Sequence, residues 1–276
     1  MALNRSRRHR GIQWVGVIVS LAFLGGLVLA ILSTRTIRGS IPGSDAILSL
    51  AAIHQGFLVG RAEGVEESRD GVTWLPAVNV PKEPVQVASD GVTSYVLAGG
   101  TLKATRDLSS FQAVASGVSG TLVAAGGAGA TQTVYVLAGA SVDRIPIDGS
   151  RLPPVPAPPV REPLCLAVVR DSPLSLLAGG LPGLWRSDDA GATWQRILGT
   201  PAQAVLVDPA NPERILLGTP GGVLLSTNGG LQWRFTALRK DVHGLSTERG
   251  KFFAVTTERV IYGSDDGDTG WRAVGP

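Results

Sequence analysis

The stretch Ser187-Asp188-Asp189-Ala190-Gly191-Ala192-Thr193-Trp194 decides how the chain is read, because it returns in weaker form along almost the whole of it. It reads as a turn between two strands. Asp189 can fold its carboxylate back onto nearby backbone N–H groups, Gly191 can take positive φ, and Trp194 anchors the strand that follows. Further copies are Ser68-Arg69-Asp70-Gly71-Val72-Thr73-Trp74, Thr105-Arg106-Asp107 with Phe111, Ser226-Thr227-Asn228-Gly229-Gly230 with Trp233, and Ser264-Asp265-Asp266-Gly267 with Trp271. An eroded sixth lies at Ile147-Asp148-Gly149-Ser150 with Leu152.

The spacing of these copies sets the architecture. The turn residues Asp70, Asp107, Asp148, Asp189, Asn228 and Asp266 recur at intervals of 37, 41, 41, 39 and 38. A second marker, Gly60, Gly99, Gly139, Gly179, Gly218 and Thr256, recurs at 39, 40, 40, 39 and 38. A period of about 40 residues with several strands per unit predicts a β-propeller. The expectation is an all-β fold: six blades, each a four-stranded antiparallel sheet, spanning residues 45–276. In the fifth unit the strands fall at Ala204–Val207, Arg214–Gly218, Gly222–Ser226 and Trp233–Ala237. Runs such as Leu177-Ala178-Gly179 do not alternate cleanly, which suits a blade buried on both faces.

The third unit departs most. Its first turn is glycine-rich at Gly126-Gly127-Ala128-Gly129-Ala130, and Leu152–Pro159 stands where a fourth strand belongs. Proline cannot donate to a ladder, so such a run is tolerable only on an outer edge; an extracytoplasmic connector in place of the fourth strand is the expected reading, and a polyproline ligand is the other. The chain begins its repeats at a first strand and ends after a fourth. Closure of the ring is therefore expected from packing of blade 1 on blade 6, unless a strand is exchanged between the termini.

These turns resemble Asp-boxes, or BNR repeats, whose pattern is Ser-x-Asp-x-Gly-x-Thr-Trp. They occur in sialidases, in sortilin ectodomains and in photosystem II assembly/stability factors. Only Ser187–Trp194 fits in full: the first copy is one residue short, the fifth has Asn228 for Asp and Gln232 for Thr, and the second and third lose the Trp. The segment from Asp208 to Arg214 leading to Gly218-Thr219 is similar to the assembly-factor group. That resemblance implies a propeller that helps other proteins assemble at a membrane.

Residues 14 to 32 carry no charge and are almost wholly apolar, long enough to cross a bilayer as a helix. Arg5, Arg7, Arg8 and Arg10 precede them and only Arg35 and Arg38 follow closely, which places the amino terminus in the cytoplasm. The expected order is a basic cytoplasmic tail at 1–11, a transmembrane signal anchor at 12–33, a linker at 34–44, and an extracytoplasmic propeller at the cell membrane. A cleaved signal peptide is the alternative, although the apolar run exceeds the usual core of roughly 7–15 residues.

The net charge of +3 divides unevenly. Residues 1–44 hold six arginines and no acid, so the remainder carries 19 basic against 22 acidic groups, a net of −3. A mildly acidic remainder argues against nucleic acid as a partner, since phosphate binding needs a concentrated basic surface. Cys165 is the only cysteine and lies in an apolar run, which marks it as a small buried hydrophobe.

A sialidase-type glycoside hydrolase, or a glycan-binding relative, is the competing function. Arg144-Ile145-Pro146 echoes the Arg-Ile-Pro signature of sialidases, but it fills the third-strand slot of the third unit, whereas that signature precedes the first Asp-box. The chemistry needs three arginines on a carboxylate, a tyrosine nucleophile with a glutamate beside it, and an acid. Tyr95 and Tyr135 share one slot in adjacent repeats, as packing residues do, and Tyr262 has no recognisable companion. His9, His54 and His243 are scattered, so no metal or cofactor is expected, and no small-molecule ligand.

The residues assigned to the turns are therefore structural: Ser68, Asp70, Gly71, Trp74, Asp107, Phe111, Ser187, Asp189, Gly191, Trp194, Ser226, Asn228, Gly230, Trp233, Ser264, Asp266 and Trp271. The opposite face carries the loops joining second to third strands and each blade to the next. There Arg61, Lys82, Arg161, Arg239, Lys240 and Arg259 form a rim, interleaved with acids, suited to a protein partner. A non-enzymatic binding or assembly scaffold is the expected function.

Overall fold

The computed structural model describes residues 41, 47–53, 56–77, 80, 82–126, 132–171, 174–181 and 183–274. The segments read as tail, anchor and linker, except Ile41, lie outside them, as do His9, His54 and most of the glycine-rich turn of the third unit. Among the described residues no helix is long and apolar enough to cross a membrane.

The described chain is a six-bladed propeller of four-stranded antiparallel sheets. Blade 1 comprises β1 (Ile47–Ile53), β2 (Gly56–Arg61), β3 (Gly64–Ser68) and β4 (Leu75–Pro76). Blade 2 follows with β5 (Gln86–Ser89), β6 (Ser94–Ala98), β7 (Thr101–Thr105) and β8 (Gln112–Ser116). β9 (Leu122–Gly126), β10 (Thr133–Ala138), β11 (Ser141–Pro146) and β12 (Leu152–Pro156) make blade 3. Blade 4 is β13 (Glu162–Asp171), β14 (Leu174–Leu181), β15 (Gly183–Ser187) and β16 (Gln195–Leu198). In blade 5 these are β17 (Ala204–Asp208), β18 (Asn211–Thr219), β19 (Gly222–Ser226) and β20 (Arg234–Phe235). Blade 6 closes the series with β21 (Val242–Glu248), β22 (Lys251–Thr256), β23 (Ile261–Ser264) and β24 (Arg272–Ala273). In every sheet, strands consecutive in sequence are neighbours in space, so among the described residues no strand is exchanged between termini.

The proline-rich run of blade 3 is thus the outermost strand, β12, paired through Val142↔Val155 and Arg144↔Leu152 with a register shift between them. Its prolines sit where no further partner needs their N–H. The connector expected in place of a fourth strand is thus itself a strand over Leu152–Pro156.

The core explains why the strands read as unbroken apolar runs. Six hydrophobic clusters fill the six clefts between adjacent blades, including the cleft between blades 6 and 1. Successive side chains of a strand point to opposite faces, so one second strand feeds two clefts. In β18, Ile215 and Leu217 pack toward blade 4 while Leu216 packs toward blade 6. All three are fully buried, and each contributes about 1.5–3 kcal/mol. Tyr95 and Tyr135 do the same from β6 and β10, buried in the clefts toward the following blade.

The glycine marker needs one correction. Gly60, Gly179 and Gly218 do lie within second strands, opposite Val65, Leu184 and Val223. Gly99 and Gly139 lie in the hairpin turns beyond, at φ +57 and +61, and Leu97 and Leu137 fill the strand slot opposite Leu102 and Val142. A two-residue turn needs positive φ, which is a different reason for glycine.

Ring closure rests on more than packing. At three of the connections between blades, a buried residue donates its N–H to the end of the preceding blade's second strand or the turn after it: Val85 to Arg61, Val118 to Gly100, and Ala202 to Gly180. Ile41, which covalently precedes blade 1, takes that place on blade 6. Its N–H donates to the Arg259 carbonyl at 2.7 Å, Arg259 Nε donates back to its carbonyl at 2.7 Å, and its side chain is buried in the cleft between blades 6 and 1. The Ala52 N–H donates to Ser246 Oγ at 2.8 Å across the same seam.

Candidate functional site

Each first strand runs toward the turn that joins it to the second strand, so the turns joining first to second and third to fourth strands share one face. The recurrent acidic turns stand there. In the fourth, Ser187 Oγ accepts the Gly191 N–H at 2.8 Å and donates to Asp189 Oδ1, which also accepts the Thr193 N–H at 2.8 Å. Thr193 Oγ1 donates to Asp189 Oδ2. Ser68, Asp70 and Thr73 repeat this in blade 1, and Ser264, Asp266 and Thr269 in blade 6. In blade 5, Asn228 Oδ1 accepts the Gln232 N–H at 2.9 Å, so an amide oxygen does the work of a carboxylate.

The eroded copies keep part of the frame. Asp107 and Asp148 still accept the N–H groups of Ser109 and Ser150. In blade 3 the Pro146 carbonyl accepts the Gly149 N–H, replacing the missing serine hydroxyl. In blade 2, Leu108 takes φ +63 where the other turns have glycine.

Each turn is wedged against the blade before it. Trp74, Phe111, Trp194, Trp233 and Trp271 all pack into the cleft with their preceding blade. The turn glycines touch it as well. A Cβ on Gly191 would stand 2.7 Å from the Pro156 carbonyl oxygen, one on Gly71 2.7 Å from Val274 Cγ1, and one on Gly230 3.0 Å from Ile197 Cδ1. Gly267 fits against Leu216 in the same way.

These hydrogen bonds hold the carboxylates ionised. The N–H groups of Thr73 and Val72 bring Asp70 down to about 2. The Thr269 hydroxyl drives Asp266 far below the usual range, and the Thr193 hydroxyl lowers Asp189. A carboxylate whose folded pKa is depressed stabilises the fold fully above its unfolded value near 4, and that contribution disappears as pH falls through the folded value. Burial pushes Asp90 and Glu67 the other way and offsets part of this. Thermal stability is expected to stay level from neutrality to about pH 4 and to fall between about pH 4 and pH 2. Asp70→Asn should flatten part of that decline, and a Tm-against-pH series checks it.

The opposite face carries the second hairpin turns and the blade connectors. The structure sorts the six cations expected there into three kinds. Arg61 is buried and paired with Glu66, and Arg259 clasps Ile41, so both serve the fold. Lys240 pairs with Glu258 at 2.6 Å. Lys82 and Arg161 are exposed, and Arg239 lies exposed over the Phe235 ring, 4.1 Å from its centroid. Apolar side chains join them that the sequence reading did not pick out: Leu181 and Phe235 are 48% and 40% exposed, and Leu164, 41% exposed, lines the axial channel. Phe235 follows Trp233 at strand spacing, which was the one available signal for it.

On the axis, the six first strands line a channel of about 110 Å³, walled by Ser49, Gln86, Ser89, Gln203, His243 and Ser246 among apolar residues. Ligand pockets for drug-sized molecules begin near 300 Å³. At the connector end, His243 Nε2 lies 3.4 Å from both Gln203 Nε2 and Asp241 Oδ1. Among the described residues no group of three or more His, Cys, Asp or Glu is placed to hold a metal ion. Burial pushes the Cys165 thiol up to about 12, so it stays protonated at neutral pH. The three tyrosines stand in three different blades, in β6, β10 and β23, and Arg144 reaches the Pro153 carbonyl of its own sheet.

No protein-family model and no curated protein sequence matches the chain. Solved structures do. One chain of a nidogen/laminin complex is 9% identical with a TM-score of 0.60, covering 79% of this chain and 92% of its own. YCF48 bound to a D1 peptide is 13% identical with a TM-score of 0.53, covering 84% and 94%. The WD40 repeats of RRP9 give 10% identity and a TM-score of 0.54 over 85% and 81%. At these identities the likeness is one of fold, and the chain is a six-bladed β-propeller.

Proposed function

We propose that the protein is a non-enzymatic scaffold that binds another protein on the connector face of its propeller, held at the cell membrane by residues 12–33 with the propeller outside. The observation that carries this reading is the composition of the connector face. On the turn face the recurrent polar groups are consumed within the turns, which we take to be Asp-boxes. On the connector face, cations stand beside an exposed leucine and a phenylalanine, the composition of an interface that meets protein. Two proteins of similar fold lend support, since one is solved with a D1 peptide and another in a nidogen/laminin complex. The uncharged stretch 14–32 behind four arginines supports the anchor and its orientation.

Arg239→Glu with Arg161→Glu is expected to reduce partner recovery at least about tenfold in a pull-down of the membrane-anchored protein, as loss of interface arginines does. Unchanged recovery would count against the face. Turnover of a fluorogenic sialoside by the unmodified protein would replace the scaffold with a glycoside hydrolase.

A further inference from the structure

The third turn packs on the blade before it but brings no aromatic ring. A Cβ on Gly149 would stand 2.4 Å from the Val114 carbonyl oxygen of blade 2, so the turn itself is seated as the others are. Three residues after the turn glycine, blades 1, 4 and 5 carry Trp74, Trp194 and Trp233, each packed into the cleft with the preceding blade. Leu152 holds that place in blade 3 and is 38% exposed. Among the described residues no turn aromatic joins the cluster between blades 2 and 3. Ala104 and Val114 belong both to that cluster and to a recess of about 400 Å³, whose walls include Thr93, Arg106, Ala113 and Ile147. That volume lies within the range of ligand sites.

The recess suits a ring brought by a polypeptide. Arg106 Nε donates to Thr93 Oγ1 at 3.2 Å, which fixes a guanidinium in the wall. A guanidinium can stack on an aromatic face, as Arg239 does on Phe235 and Arg214 on Phe252. Ala113 and Val114 belong to β8, the outer edge of blade 2, whose five residues include no charge and no proline. The other outer edges are blunted. β4, β20 and β24 have two residues each, β12 carries three prolines, and β16 carries Arg196. An edge left open in this way is a template for one more strand. A recess of about 460 Å³ on blade 6 lacks this character, since the Lys251–Asp265 ion pair stands in its wall and Trp74 packs in the adjoining cleft.

We propose that an extended segment of a partner protein pairs with β8 and places an aromatic side chain in the recess between blades 2 and 3, where the third turn lacks its own. Arg106 and Ile147 open the second and third turns, so the site lies toward the turn face, apart from the connector face.

The test uses the full-length protein in detergent and two uncharged probes: N-acetyltryptophanamide, and a blocked pentapeptide with tryptophan flanked by valines and threonines. In saturation-transfer NMR titrations both are expected to bind, the peptide at least about tenfold more tightly, because its main chain adds bonds to β8. Leu152→Trp and Ala113→Arg copy Trp233 of blade 5 and Arg196 of blade 4, residues that the repeat already accommodates. Each variant should therefore keep its Tm, and each should weaken the peptide at least about tenfold by filling the recess. Unchanged peptide binding in either folded variant, or no binding of either probe, would overturn the site. Equal affinity for the two probes would overturn the strand pairing, and a peptide with alanine for tryptophan that binds as tightly would overturn the role of the ring.

Discussion

Gly179→Ala is expected to destabilise the propeller by about 3 kcal/mol, the upper end for overpacking. Gly179 lies in β14 where blade 4 meets the lead-in to blade 5. A Cβ there would stand 2.6 Å from both Cys165 Sγ and Ala202 Cβ, and 3.2 Å from the Ala202 carbonyl oxygen. Ala202 cannot retreat freely, because its N–H is bonded to Gly180 and its carbonyl accepts the Cys165 thiol. The added methyl therefore forces the cleft between blades 4 and 5 apart. For a domain of this size the loss corresponds to a fall in Tm of roughly 6–12 °C. Gly60→Ala should behave alike, since its Cβ would meet the Val85 carbonyl oxygen at 2.4 Å. Gly221→Ala is the control: its nearest neighbour would be the Phe235 ring at 3.5 Å, and it should be neutral or stabilise slightly. Denaturant midpoints for the three variants check the ordering.

Removing the chain up to residue 46 is expected to cost about 2–5 kcal/mol, although every residue removed precedes the first blade. The loss comes from Ile41. Its side chain is 1% exposed, and its N–H and carbonyl are both bonded to Arg259. Ile41→Ala keeps those backbone bonds and should lose only the burial, so it separates the two contributions. The damage should be local. In hydrogen exchange, amides along the seam between blades 6 and 1, such as those of Ala52 and Val255, should lose protection while Leu216 and Leu217 keep theirs. Uniform loss across all clefts would mean that Ile41 has no particular part in closing the ring.

Much of this architecture was legible in the chain because a propeller repeats its instructions. The turn residues Asp70 to Asp266 keep their spacing, since each turn must fold back on itself and pack on the blade behind it. Ala204, Gly222 and Ser226 begin or end strands where the repeat places them. The fourth strand of blade 5 shrinks to Arg234–Phe235, because edge strands have only one partner to hold them. Blade closure was less legible for a physical reason. Ile41 meets Arg259 across 218 residues, and a lone isoleucine between Ser40 and Pro42 carries no periodic signal. The connector face was half legible. Charge identified Arg239 and Lys240, but only the fold reveals that Arg61 turns inward to Glu66 and that Phe235 supplies the ring beneath Arg239.

If six sheets stand around one axis, residues near the two ends of the repeat must touch. Ala52 and Ser246 are 194 positions apart and bonded across the seam between blades 6 and 1. In Ala52→Cys with Ser246→Cys, mild oxidation of the native protein should form one intramolecular disulfide in nearly every molecule, without loss of fold. A pair that stays reduced until the protein is denatured, or that links only separate molecules, would contradict a closed ring.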